Sequence, residues 1–145
     1  YFYKNKEGVL IKKLSDEFTQ YMDWSKDLPT PYGVECSNGL LEKIAFDMHE
    51  AITITAPGFY GPQGRKIRID LADKTINSKL GYFSYNGVKA ANYEMETSSL
   101  YALGKNLGHN VLTICNVIAN RTTGRFAEDY HSSMKNLVKL VLDRI

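Results

Sequence analysis

The chain predicts an α/β fold built in layers, and three observations carry that expectation. Short β-branched or wholly apolar segments alternate with stretches whose apolar residues recur every three or four positions. Polar clusters follow the strand-like segments, where ligands of open α/β sheets usually bind. The 145 residues are enough for one core of ordinary size and too few for two comfortable domains.

Leu10, Leu14, Phe18, Tyr21 and Met22 fall at helical spacing and predict a first amphipathic helix. Residues 28–32 (LPTPY) break it with two prolines and lead into a loop. Ser37 is the expected N-cap of a second helix, with Leu40, Leu41, Ile44, Ala45 and Met48 on one face. AITIT at 51–55 is short and β-branched, a strand. A glycine-rich loop follows, then a further strand is expected at 66–71 (KIRIDL). Residues 82–88 (YFSYNGV) read as an extended stretch closed by the turn pair Asn86-Gly87. A third helix is expected over 96–107, ended by Gly108. HNVLTICNVIAN is almost wholly apolar through Val117, which predicts a strand buried on both faces. Met134, Leu137, Val138, Val141 and Leu142 then predict a terminal helix docked on the core.

Composition excludes several classes. The net charge is +2 and no long basic run occurs, so there is no electrostatic case for nucleic acid or a membrane surface as partner. The apolar runs are far shorter than a membrane span, and no signal peptide shows. Cys36 and Cys115 form no CxxC; a disulfide is allowed but not required, and both read as buried thiols of a cytoplasmic protein. His49, His109 and His131 have no metal-ligand spacing, so no metal is expected. The chain opens Tyr1-Phe2-Tyr3-Lys4, without Met or a polar lead-in, which reads as the interior of a longer protein; loss of an initiator or a tag would leave the same opening.

Three polar clusters carry candidate chemistry: FYGPQGR (59–65), NYEMET (92–97) and ANRTTGR (119–125). A Gln side chain offers an acceptor and two donors, and an Arg offers donors only, in a fixed fork. Gln63 and Arg65 together complement a ring edge presenting carbonyl, N–H and carbonyl, as uracil does. Phe59 or Tyr60 would lie against the ring face, and Gly58, Gly61 and Gly64 allow close backbone approach. An exposed hairpin loop with a solvated Arg would use the same residues. In the second cluster Glu94 and Glu96 flank Met95 at a helix start. A carboxylate there suits vicinal ribose hydroxyls, although acidic residues favour the first turn of any helix. In the third, Asn120-Arg121 would close a base pocket, bind an anion or form a solvated ion pair.

In this order and spacing, FYGPQGR, NYEMETSSLYAL and VIANR resemble the C-terminal half of a uridine phosphorylase, of the nucleoside phosphorylase superfamily. The likeness covers residues 51–125 strongly and the flanks weakly. It implies a three-layer αβα sandwich around a mixed sheet, with the whole chain, 1–145, forming the C-terminal portion of one such domain. It also implies reversible phosphorolysis of uridine to uracil and ribose 1-phosphate, with inorganic phosphate as co-substrate and no cofactor. Gln63, Gly64 and Arg65 would read the uracil edge, with Phe59 packed on the nucleoside. Tyr93 and Glu94 would line the pocket, and Met95 and Glu96 would hold the ribose. Ile118, Ala119 and Arg121 would form the far wall, Arg121 supporting Arg65. Arg65, Gln63 and Glu96 are the expected catalytic residues.

Purine-specific relatives and nucleosidases place an Asp after the buried strand, where this chain has ICNVIANR, so the resemblance favours pyrimidine. GPQGR replaces the more familiar PGQER but keeps Gln and Arg at the same spacing. The family's phosphate-binding residues have no counterpart here, so the isolated chain is expected not to turn over alone. A homo-oligomer, dimer or hexamer, or a complementary N-terminal segment is implied as partner. The rival readings are a purine phosphorylase or nucleosidase of the same fold and a non-catalytic nucleoside-binding fragment.

Overall fold

Ile52–Thr55 carries two β-branched Ile and two Thr in alternation, and in the computed structural model it forms strand β1. It pairs in parallel with β3, Val88–Glu94, which also takes the two-residue strand β2, Ser84–Tyr85, along its other edge in antiparallel sense. The result is a mixed three-stranded sheet in the order β1-β3-β2. The structure describes residues 3–121 and 123–145. The opening Tyr1-Phe2 and Thr122 of the third polar cluster lie outside them.

The chain divides into two compact units, the described residues up to Glu35 with His49–Val111, and Cys36–Met48 with the described residues from Leu112 on. The first holds the sheet, α1 (Lys12–Met22), α3 (Ile76–Tyr82) and α4 (Thr97–Leu107). Its core gathers Val9, Met22, Ala56, Leu80, Phe83 and Ala102. Phe83 meets Phe18 edge-on at 5.1 Å and Tyr21 at 5.3 Å, which fastens α1 to the end of α3. Asn86 (φ 50°) and Gly87 (φ 82°) both take positive φ between Tyr85 and its ladder partner Val88, the tight hairpin that their pairing predicts. Gly108 ends α4 in the left-handed region, as expected, and its N–H and that of His109 return to the last turn. Gly104 lets the returning chain pass close: a Cβ there would stand 2.2 Å from Val111.

The second unit contains α2 (Asn38–Ile44), a two-strand hairpin of β4 (Ala119–Asn120) and β5 (Arg125–Phe126), and α5 (Tyr130–Leu142). Ser37 stands at the N-cap of α2 as predicted, although its side chain makes no capping hydrogen bond. Asp129 does cap α5, accepting from the Ser132 N–H at 3.0 Å. Arg144 binds Asp47 bidentately at 2.7 Å for both oxygens and donates to the Ile44 carbonyl at 2.6 Å. That fork ties the end of α5 to the end of α2, with the Phe46 ring beneath the guanidinium.

The structure corrects several sequence expectations. Residues 66–71 form bends rather than a strand, and Ile69 is 84 % exposed. Alternating Ile with Arg and Asp satisfies the strand period, but with no partner ladder the segment instead uses the local ion pairs of Asp70 with Lys66 and Lys74. Tyr82 belongs to α3, a helix that the reading of 82–88 as extended did not foresee. The apolar run 109–117 is neither a strand nor buried: Val117 and Ile118 are exposed, and only Ala119–Asn120 pairs. Apolar side chains favour a buried strand only where ladder partners exist on its edges. Cys115 is exposed and Cys36 half-buried, so neither is a core thiol. The terminal helix forms with its predicted period, but none of its residues is buried, and Met134, Val138 and Leu142 face solvent.

Candidate functional site

Parallel pairing of β1 and β3 sets Thr55 opposite Glu94, so both strands end at the same edge of the sheet. The Ala56 N–H donates to the Glu94 carbonyl at 2.9 Å and carries the ladder one residue further. The glycine-rich loop leaves this edge from β1, and Met95-Glu96 leave it from β3 into α4. Two of the three polar clusters thus meet at the carboxyl ends of parallel strands.

The loop folds on its own backbone. Pro62 stands in the first positions of a single 3₁₀ turn, Gly61–Gln63, and the Tyr60 carbonyl accepts from the N–H groups of Gln63 and Arg65 at 3.0 and 2.9 Å. Gly64 closes the turn at φ +68°, and a Cβ there would stand 2.5 Å from the Asn77 carboxamide. Both constraints call for glycine. This turn buries Gln63 to 4 % exposure, one of two buried polar side chains among the described residues. Its Oε1 accepts from Arg65 Nη1 at 2.7 Å, and the same nitrogen donates to the Phe59 carbonyl at 2.5 Å. The Arg65 guanidinium stacks over the Phe59 ring, 3.7 Å from its centroid, and Tyr60 meets that ring edge-on at 5.3 Å. Phe59 therefore gives one face to Arg65, while Phe59 and Tyr60 both stay more than half exposed.

Glu94 joins the end of β1 to the start of α4. One of its oxygens accepts from the Thr55 hydroxyl; the other accepts from the N–H groups of Glu96 and Thr97 at 2.7 and 2.6 Å. From three residues before the start of α4, the carboxylate thus covers the amides of its N-cap, Glu96, and its first residue, Thr97. The Thr55 oxygen also accepts from the Ser98 N–H at 2.9 Å, fastening the helix start to β1. Burial pushes the Glu94 carboxyl upward, but the hydrogen bonds from Thr55, Glu96 and Thr97 outweigh it and hold the group below its ordinary value. The Glu96 carboxylate and Met95 are exposed beside it. Tyr93 is half-buried on β3 and donates to Asn77 Oδ1 at 2.9 Å.

Ile118, Ala119 and Arg121 belong to the second unit. Ala119 pairs with Phe126, the Ile118 carbonyl accepts from the Ala127 N–H at 2.9 Å, and Arg121 sits exposed in the hairpin turn. Arg65 bonds Gln63 and Phe59, which lie with it in the first unit. Sequence reasoning missed Thr55 and Asn77. Thr55 carried a signal, as the last residue of a strand that ends at the site. Asn77 carried none, since it lies in a helix that the pattern did not reveal. Among the described residues no three His, Cys, Asp or Glu side chains gather as a metal site, and no helix is long and apolar enough to cross a membrane.

Comparison with curated proteins and with solved structures returned no match. The family model of the Phosphorylase superfamily matches residues 11–145, a span that contains the glycine-rich loop, the sheet and α4. The mixed α/β architecture agrees with that match, and the chain belongs to the phosphorylase superfamily, enzymes of pentosyltransferase type that bind nucleosides and phosphate.

Proposed function

We propose that this chain carries the base- and sugar-recognition side of a uridine phosphorylase, which splits uridine with phosphate into uracil and ribose 1-phosphate. The observation that supports it best is the buried Gln63 carboxamide held by Arg65 against Phe59 at the carboxyl edge of the parallel strands. The Gln63 carboxamide, with both an acceptor and donors, is assigned to the uracil N–H and a neighbouring carbonyl. The hydrogen bonds of Arg65 use Nη1 alone, which leaves Nε and Nη2 as donors for a uracil carbonyl.

In the reaction the C1′–N1 bond breaks with its electron pair going to uracil, while a phosphate oxygen bonds C1′ from the opposite face. Negative charge then spreads over the uracil ring onto its carbonyl oxygens. Donors already fixed by the loop meet that charge without reorganising. Glu96 is assigned the ribose hydroxyls, because its carboxylate is exposed while that of Glu94 is engaged by α4 and Thr55. Glu94 acts through position: it fixes the turn that presents Met95 and Glu96. Residues 115–121 contain no Asp to protonate a purine ring, which favours a pyrimidine base.

The test is a substrate panel of uridine, thymidine, deoxyuridine, inosine and adenosine, followed by binding and by base release with and without phosphate. The expected result is preferred binding of the pyrimidine nucleosides, with uracil release only where phosphate is present. Preference for inosine or adenosine, or release without phosphate, overturns the proposal.

A further inference from the structure

Asn77 is the second residue of α3, and its side chain is exposed. Even so it spans two elements. Its Oδ1 accepts from the Tyr93 hydroxyl on β3 at 2.9 Å, and its Nδ2 donates to the Gly64 carbonyl at 3.3 Å. Gly64 meets the carboxamide so closely that any Cβ would fall within 2.5 Å of it. Gly64 stands between Gln63 and Arg65, whose side chains bond each other. A displacement of the Gly64 peptide therefore moves both members of the pair at once. Within the loop, the Gly64 N–H already returns to the Gly61 carbonyl, and the Arg65 N–H to the Tyr60 carbonyl, at 2.9 Å each. Those bonds shape the turn but do not anchor it to the sheet. The Asn77 bridge fastens the turn to α3 and, through Tyr93, to β3.

We propose that Asn77 is a positioning residue that fixes the Gln63–Arg65 turn onto β3 through Tyr93. Its relevance to uridine rests on the functional reading above. It touches no substrate; it sets where the two recognition side chains stand. The chemistry asks for a carboxamide, since the position must accept from a phenol and donate to a peptide carbonyl together. Asp supplies the acceptor and not the donor; Ala supplies neither.

Amide hydrogen exchange of the full chain tests this, with Asn77→Ala and Asn77→Asp compared with the unaltered protein. Both changes fall on an exposed side chain, so the core of the unit is left intact. In both variants the amides of Gln63, Gly64 and Arg65 are expected to exchange about three- to tenfold faster, the scale of one hydrogen bond. The Ala56 amide, in the β1–β3 ladder, is expected to keep its rate. Equal acceleration at Ala56 would show a general loss of stability and overturn the proposal, as would unchanged loop amides. Uridine binding by the same variants is expected to weaken by a similar factor; unchanged affinity beside a loosened loop also overturns it. If the unaltered protein binds no uridine while the loop amides still accelerate in the variants, the anchoring role stands and the nucleoside reading falls.

Discussion

Arg65 joins two kinds of contact in one side chain: a stack on Phe59 and a hydrogen bond to a buried carboxamide. Replacing it removes the guanidinium that bonds the Gln63 carboxamide and, on the proposed function, a donor to the leaving base. We predict that Arg65→Ala lowers uracil release by the phosphate-dependent enzyme about 10²-fold, on the scale of losing one preorganised donor. Arg65→Lys is expected to restore little, because an ammonium lacks the planar fork that bonds and stacks together. Near-normal turnover in the Ala variant, measured as uracil formed at saturating phosphate, would remove Arg65 from the mechanism. The roles of these residues were legible to different depths. The spacing of Gln63 and Arg65 marked them as a donor–acceptor pair, although an exposed hairpin loop would use the same residues; the structure brings the two side chains into contact. Glu94 and Glu96 looked equivalent in sequence, since both are acidic residues at a helix start. Only the register of β1 against β3 separates them, by giving Glu94 to Thr55 and the amides of α4.

At the scale of elements, the hairpin Asn86-Gly87 is the clearest case of local chemistry dictating form. Both residues take positive φ, and Gly87 at φ 82° does so without a side-chain penalty. Gly87→Ala is expected to lower stability by about 1–2 kcal/mol, the cost of holding an L-residue there. Chemical denaturation would show it as a lower midpoint at unchanged slope; an unaltered midpoint would mean that the turn relaxes freely. Elements set by such local rules were read correctly from sequence: α1 from its apolar period, β1 from β-branching, the end of α4 from Gly108. Elements that depend on distant partners were not. Residues 66–71 and 109–117 have the composition of strands, yet neither has a ladder alongside it. Helix α5 shows the same limit, since its apolar stripe forms with the predicted period while burial of that stripe depends on what packs against it.

Across the whole molecule, the charges whose titration folding perturbs are mainly carboxylates, which gives stability a definite acid dependence. Hydrogen bonds from Lys79 and then Thr75 hold Asp73 at about 2, against an ordinary 3.8. Arg144 lowers Asp47, and Ser132 lowers Asp129. Glu94 is lowered by its three donors in spite of partial burial. Each of these groups has a folded pKa below its unfolded one, so the unfolded chain binds more protons as the pH drops through that window. Their stabilisation is complete above the unfolded values near 4 and is lost as pH falls through the folded ones. Glu94 offers the sharpest test, because its carboxylate joins β1 to α4. We predict that Glu94→Gln lowers the thermal midpoint at pH 7, since a neutral amide is a weaker acceptor for two helix amides and a hydroxyl. As pH is brought from 6 toward the acid limit of the protein, the gap between the two proteins should narrow, since acid neutralises Glu94 in the unaltered chain and leaves Gln unchanged. Asp73→Asn should narrow in the same way over a lower window, ending near pH 2. A gap for Glu94→Gln that stays constant from pH 6 into the acid range would show that the carboxylate's charge contributes nothing, and that its role is one of shape alone.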